Sequence, residues 1–222
     1  MEIKRFVSNL LMSNMYVLAE KGEDIIIDPF ICGNDILRGI GSLEFGKALI
    51  ILTHEHFDHI SGVNFMKENY SVPVYASDTC AENLQKPNRN LSRHFDAFCQ
   101  IQSWISGYKC EYSGDYICGA DMTFSGEAEM SWHGHLIRLI EAPGHSQGSI
   151  FIYIDDKYLF SGDSIFRDYP TGTRFTGGST HAFETQTRPL IESLPKDTIV
   201  YPGHFNSFKI EERYVEKGVG NA

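Results

Sequence analysis

Short apolar runs recur along this chain, separated by polar turns and by stretches with helical spacing. The first thirty residues alternate apolar and polar positions and close on Asp24-Ile25-Ile26-Ile27-Asp28-Pro29, a strand ending at a turn. Residues Asn34 to Phe45 have helical spacing, and Ala48 to Leu52 is the all-apolar run expected of a strand buried on both faces. A helix from about Ile60 to Asn69, a strand Val72 to Ala76 and a helix from Ser77 to about Leu84 follow. Between about Gln85 and Ser131 the pattern weakens around the turn signals Ser106-Gly107, Ser113-Gly114 and Ser125-Gly126. The expectation there is a loop-rich excursion, 85–131, acting as a lid over a site. Hairpin-like runs come next: His135 to Glu141, then Ile150 to Ile154 returning through Asp155-Asp156 to Lys157 to Phe160. A helix Phe183 to Leu194, a strand Thr198 to Tyr201 and a closing helix Lys209 to Lys217 complete the pattern. With no repeat, low-complexity segment or dividing linker, residues 1–222 are expected to form a single domain.

The apolar run Ile50-Ile51-Leu52 delivers Thr53-His54-Glu55-His56-Phe57-Asp58-His59 to a strand end. His54 and His56 sit two apart and point the same way in an extended segment, while Asp58 and His59 reach a second position along the turn. Three histidines and a carboxylate in so short a window are costly to desolvate, which favours a metal site over packing. Three later positions repeat the arrangement, each a glycine followed by a ligand type at the end of an apolar run: Gly144-His145, Gly162-Asp163 and Gly203-His204. Glycine there permits a sharp turn or close backbone approach. Asp28 is a candidate for orienting a ligand histidine through its other ring nitrogen, or equally a simple turn aspartate.

Composition narrows the partners. A formal net charge of -10 argues against a nucleic-acid backbone as partner. No segment approaches membrane-spanning length. Cys32, Cys80, Cys99, Cys110 and Cys118 form an odd set without C-x-x-C spacing, so reduced thiols in a cytoplasmic protein are expected. His133 and His135 flank Gly134 and read as a surface hairpin turn, while His94 and His181 lie where either could touch a substrate. Sequence leaves the oligomeric state open.

The H-x-H-x-D-H run at His54, His56, Asp58 and His59, followed by His145, Asp163 and His204, resembles the metallo-β-lactamase superfamily. Order and spacing resemble in particular the short, single-domain glyoxalase II-like thioester hydrolases. The likeness extends to Asn14-Met15-Tyr16, Asp28-Pro29, Pro143 to Ser149, Gly162 to Arg167 and Tyr201 to His204. It implies an α/β fold, a four-layer αβ/βα sandwich of two mixed sheets flanked by helices. It also implies that His54, His56 and His145 hold a first metal, Asp58, His59 and His204 a second, with Asp163 bridging. Phe205 stands where the glyoxalase II pattern has glycine, a bulkier group at the mouth of the site. Arg167, Tyr169, Arg174 and Phe205 are candidates for the substrate pocket.

Two Zn2+ per chain are expected from imidazole and carboxylate donors, which also suit iron and manganese. The expected chemistry is hydrolysis: a metal-bridging hydroxide attacks the acyl carbon of a small-molecule thioester or related ester, with Asp58 orienting it and moving its proton. A thiolate leaving group needs little protonation, which fits a site without an evident general acid. The resemblance also admits a mononuclear iron oxidoreductase of persulfide-dioxygenase type. A metal-stabilised binding protein without turnover is the third possibility.

Overall fold

Two six-stranded sheets, buried against each other, form the middle of the computed structural model. It describes residues 1–9, 11–30, 47–106 and 114–213, excepting the side chains of 102–106. In spatial order the first sheet runs β1 (Glu2–Val7), β2 (Asn14–Glu20), β3 (Glu23–Ile27), β4 (Ala48–Ile51), β5 (Val74–Ser77) and β6 (Met122–Phe124). Strands β1 to β3 form an antiparallel meander, and β3 to β6 pair in parallel. The second sheet starts with β7 (Glu127–Trp132), β8 (His135–Glu141), β9 (Ile150–Ile154) and β10 (Tyr158–Gly162), all antiparallel. It ends with β11 (Ile199–Pro202), parallel to β10, and β12 (Phe208–Lys209).

Period-two alternation explains the layering. Tyr16, Leu18, Ile25, Ile27 and Ile51 face the second sheet and pack with Ile150, Ile152 and Ile154. Their neighbours Met15, Val17, Ile26 and Ile50 face the opposite way and pack under helices. The middles of these strands are therefore apolar on both faces, and each buried isoleucine contributes about 1.5–3 kcal/mol. Helices α1 (Phe57–Ile60), α2 (Val63–Tyr70) and α3 (Asp78–Leu84) cover the first sheet. Across the molecule α5 (Thr180–Ala182), a π turn (Phe183–Thr187) and α6 (Arg188–Ser193) cover the second, over Phe151, Tyr153 and Val200. The result is the four-layer αβ/βα sandwich that the resemblance implies.

Several boundaries differ from the sequence pattern. The helix expected from Ile60 to Asn69 is two helices broken at Ser61-Gly62. There the Gly62 N–H donates to the Pro29 carbonyl at 2.9 Å, and an added Cβ would strike the Phe30 carbonyl. The stretch 85–131 is more regular than its turn signals suggest, with a 3₁₀ turn (Ser92–His94), α4 (Phe95–Ser106), β6 and most of β7. The closing segment begins as β12 and a 3₁₀ turn at Ile210–Glu212 rather than as an α-helix. The helix expected over Asn34 to Phe45 lies outside the described residues, as does the closing helix beyond Arg213. Cys80 and Cys118 are free and buried, but Cys99 is disulfide-bonded, which corrects the expectation of five reduced thiols. The sequence offers no C-x-x-C spacing to signal such a bond. Among the described residues no helix is long and apolar enough to cross a membrane.

Lys21-Gly22 and His133-Gly134 have positive φ, as two-residue hairpin turns require, and Asp155-Asp156 have it in the three-residue turn between β9 and β10. His135, beside one such turn, bonds Asp155 Oδ2 at 2.5 Å and Glu20 Oε2 at 3.0 Å and so ties one sheet to the other. The Asp155 hydrogen bond, aided by Glu20, raises its pKa above the ordinary histidine value. A raised folded pKa gives stability that is full below the unfolded value, near 6.5, and fades as pH climbs through the folded one. Because the group is only partly buried, the gain over His135→Ala is expected to stay under about 1 kcal/mol. Urea midpoints should separate wild type from His135→Ala at pH 6 and converge at pH 9, and the opposite trend would refute the assignment.

Candidate metal centre

The edge of the sandwich is built from strand ends. β4 stops at Ile51, and the following loop turns into α1 with His56 at its N-cap. β10 carries Asp163 just past its end, β11 carries His204, and the loop between β8 and β9 carries His145. All seven sequence-predicted ligand residues converge there. Three interlocked groups result, His54 with His56 and His145, Asp58 with His59 and His204, and Asp28 with His54 and His59. Within each, donor atoms lie within 4.8 Å of one another.

Hydrogen bonds behind the rings fix which nitrogen faces inward. Thr53 Oγ1 donates to Asp28 Oδ2 at 2.5 Å, so it is left to accept from His54 Nδ1 at 3.0 Å. His54 Nε2 then turns its lone pair inward, without a partner among the described residues. His145 Nδ1 donates to the Gly172 carbonyl at 2.8 Å, leaving its Nε2 3.0 Å from His56 Nδ1. Asp28 also accepts from the Thr53 N–H at 2.7 Å and lies 3.2 Å from His59 Nδ1. It is thus occupied behind the rings, as its candidate role from sequence required. Glu55, unmarked by the sequence reading, is buried between the ligands. It accepts from Asn83 Nδ2 at 2.9 Å and Ser146 Oγ at 2.8 Å, tying the His54–His56 loop to the His145 loop.

Asp163 touches both sets. Its Oδ2 lies 3.5 Å from His145 Nε2 and 3.3 Å from His204 Nε2, and its Oδ1 lies 3.5 Å from His59 Nε2. Asp58 Oδ2 is 3.4 Å from both His59 Nε2 and His204 Nε2. Electrostatics divides the cluster in two. Burial, reinforced by neighbouring imidazoles, drives His54 well below its ordinary pKa and His56 down to about 3. Burial also lowers His145 against the pull of Asp163. Burial would lower His59 and His204 as well, but Asp58 and Asp163 carry His59 up to about 9 and His204 well above its usual value. Conversely, burial would raise the two carboxyls, yet His59 and His204 hold both below the carboxylate range. Five buried atoms, His54 Nε2, His56 Nε2, both His59 nitrogens and Asp163 Oδ1, lack a hydrogen bond among the described residues. Of these, His54 Nε2, His59 Nε2 and Asp163 Oδ1 are buried donor atoms of the kind a coordinated cation would satisfy.

The His204 loop is held from the far end of the sequence. Ser13 pairs with His204, and the Asn14 N–H donates to the Gly203 carbonyl at 2.7 Å. Asn14 Nδ2 reaches the Pro202 and Phe205 carbonyls at 2.9 and 2.8 Å, and the Tyr16 hydroxyl donates to Pro202 at 2.8 Å. Phe205 adopts φ +67°, a conformation costly for a side chain of this size, and its exposed ring stacks on Tyr169. Of the four pocket candidates, Arg167, Tyr169 and Phe205 line a groove of about 180 Å³ beside His204, whereas Arg174 lines neither this groove nor the cavity over the metal cluster. That cavity, about 250 Å³, is walled by Leu91, Phe95, Phe98 and Phe175, which sequence reasoning did not single out. The apolar i, i+3, i+4 face of Phe95, Phe98 and Cys99 was the available signal. His94 and His181 are exposed and line neither space, and His133 and His135 stay on their hairpin.

A four-layer sandwich that gathers interlocked histidine and aspartate groups on one edge is the architecture of a metallo-hydrolase. The chain belongs to the metallo-β-lactamase superfamily, which it matches over residues 8–204. It is 29% identical to a probable metallo-hydrolase of Streptococcus pyogenes serotype M6, covering 92% of this chain and 84% of that one. It is 24% identical to the hydroxyacylglutathione hydrolase GloC of Haemophilus influenzae, over 81% of this chain and 78% of the relative. The crystal structure of the BLEG-1 B3 metallo-β-lactamase superposes with a TM-score of 0.76 at 26% identity, covering 95% of each chain.

Proposed function

We propose that the protein is a two-metal hydrolase of thioesters or related esters. His54, His56 and His145 would hold one ion and Asp58, His59 and His204 the other, with Asp163 shared. Asp163 carries this reading, because its two oxygens reach histidines of both sets. Imidazole and carboxylate donors suit zinc first, then iron and manganese. A divalent pair supplies Lewis acidity that brings water ionisation toward neutral pH and polarises a carbonyl.

The chain's own groups do the rest. Thr53 and the Gly172 carbonyl keep the His54 and His145 tautomers that present Nε2. Asp58, anionic and in contact with the cavity, orients the attacking water and accepts its proton. Phe95, Phe98 and Phe175 keep bulk water from the reacting carbon, which strengthens every charge interaction there. Among the described residues lining the cavity, the histidines and aspartates belong to the proposed ligand sets, and none of the others is a lysine, tyrosine or cysteine able to protonate a leaving group. A thiolate leaves without such help, whereas an amine does not.

Metal analysis and activity profiling test this together. Zinc-loaded protein is expected to hydrolyse thioesters in preference to phosphodiesters. Protein that carries one iron and no zinc per chain as purified, and is inactive on thioesters when zinc-loaded, would overturn the proposal.

A further inference from the structure

Apart from the histidine and aspartate cluster, the described residues lining the cavity are apolar groups and one glycine. Its walls are Leu11, Leu91, Phe95, Phe98, Phe166 and Phe175, with no lysine or arginine among its lining residues. The Phe98 and Phe175 rings meet at 6.1 Å, and Phe175 lies 5.6 Å from the His145 ring, so the apolar wall reaches the cluster itself. On the other side of Phe166 and His204 lies the polar groove with Arg167, Asp168, Tyr169 and Asn206. A substrate lying across the cluster therefore has one apolar end and one polar end.

We propose that the apolar cavity is an acyl-binding site and that the substrate carries a compact, uncharged acyl group, branched or aromatic, with its leaving group in the polar groove. This rests on the hydrolase reading above and adds the substrate class. A charged acyl substituent would be buried there without a partner, at a cost of several kcal/mol. An added methylene in the cavity is worth about fourfold in affinity. At about 250 Å³ the cavity is smaller than most ligand sites, so the acyl group is short.

Calorimetry of the zinc-loaded protein with simple carboxylates, the acyl products, reads the cavity without turnover. Phenylacetate and isovalerate are expected to bind about 10- to 100-fold more tightly than acetate, the range set by burying one such side chain. Succinate should gain nothing over acetate. Phe98→Ala should cut the preference for phenylacetate over acetate about tenfold, with a circular dichroism spectrum matching wild type to show that the variant is folded. Equal affinity for acetate and phenylacetate, or a preference for succinate, overturns the proposal. Selective binding without thioester hydrolysis would instead remove the hydrolase reading and leave the acyl site standing. Hydrolysis indifferent to the acyl group, with flat carboxylate binding, would do the reverse.

Discussion

His56→Ala is expected to abolish metal-dependent hydrolysis while leaving a folded protein. The activity loss should exceed the roughly 10–100-fold that follows removal of a residue supporting a ligand from behind, because His56 belongs to the donor set itself. Its ring is buried, 3.0 Å from His145 Nε2, and its own Nε2 has no partner among the described residues. Burial holds it neutral, so deletion exposes no buried charge in the metal-free protein. The residue also lies outside the apolar clusters that join sheet to sheet and sheet to helix. Metal content should fall, and the urea midpoint of metal-free variant should match that of metal-free wild type. Undiminished hydrolysis would refute the proposed centre.

Gly203→Ala should damage the centre nearly as much without removing a ligand. A Cβ at residue 203 would fall on Asp163 Oδ1 and come within 2.8 Å of His59 Cε1. The loop has nowhere to retreat. The Gly203 N–H is bonded to the Gly162 carbonyl at 2.8 Å and the Gly203 carbonyl to Asn14, while Pro202 is held by Asn14 and Tyr16. Asp163 must therefore swing away and give up its contacts with both histidine sets. The expected result is a loss of about 1–3 kcal/mol in stability, typical of overpacking, together with loss of metal bound per chain. Equilibrium dialysis against zinc, paired with urea unfolding, measures both. Full metal occupancy with unchanged kinetics would show that Asp163 does not join the two sets.

The proposed ligands were legible because each sits at the end of an apolar run, and a strand end is readable from the point where such a run stops. The glycines before them were legible for the same reason, and Gly203 now has a specific neighbour, Asp163, to explain it. Asp28 was visible only as an alternative to an ordinary turn residue, since its bonds to Thr53 and its approach to His59 span the gap between separate strands. Glu55 was hidden in the ligand run itself, because nothing in sequence tells an outward residue from one aimed at Asn83 and Ser146. The cavity walls were obscured by the excursion 85–131, where helix α4 lies among turn signals. Phe95 and Phe98 meet Phe175 only after the chain has crossed from one sheet to the other. The break at Gly62 was invisible because its cause is the Phe30 carbonyl, over thirty residues earlier.

The pairing of Ser13 with His204 bears on how the centre comes into being during synthesis. The proposed donors emerge in the order His54, His56, Asp58, His59, His145, Asp163, His204, and the last is held in place by Ser13 and Asn14, which emerged long before it. A chain growing on the ribosome can fold its first sheet early, since domains form progressively from the N-terminal side. The three-histidine set exists once His145 is out. The second set must wait for His204 to return to β2. On the two-metal reading proposed above, a nascent chain would offer a site for one ion before it offers a site for two.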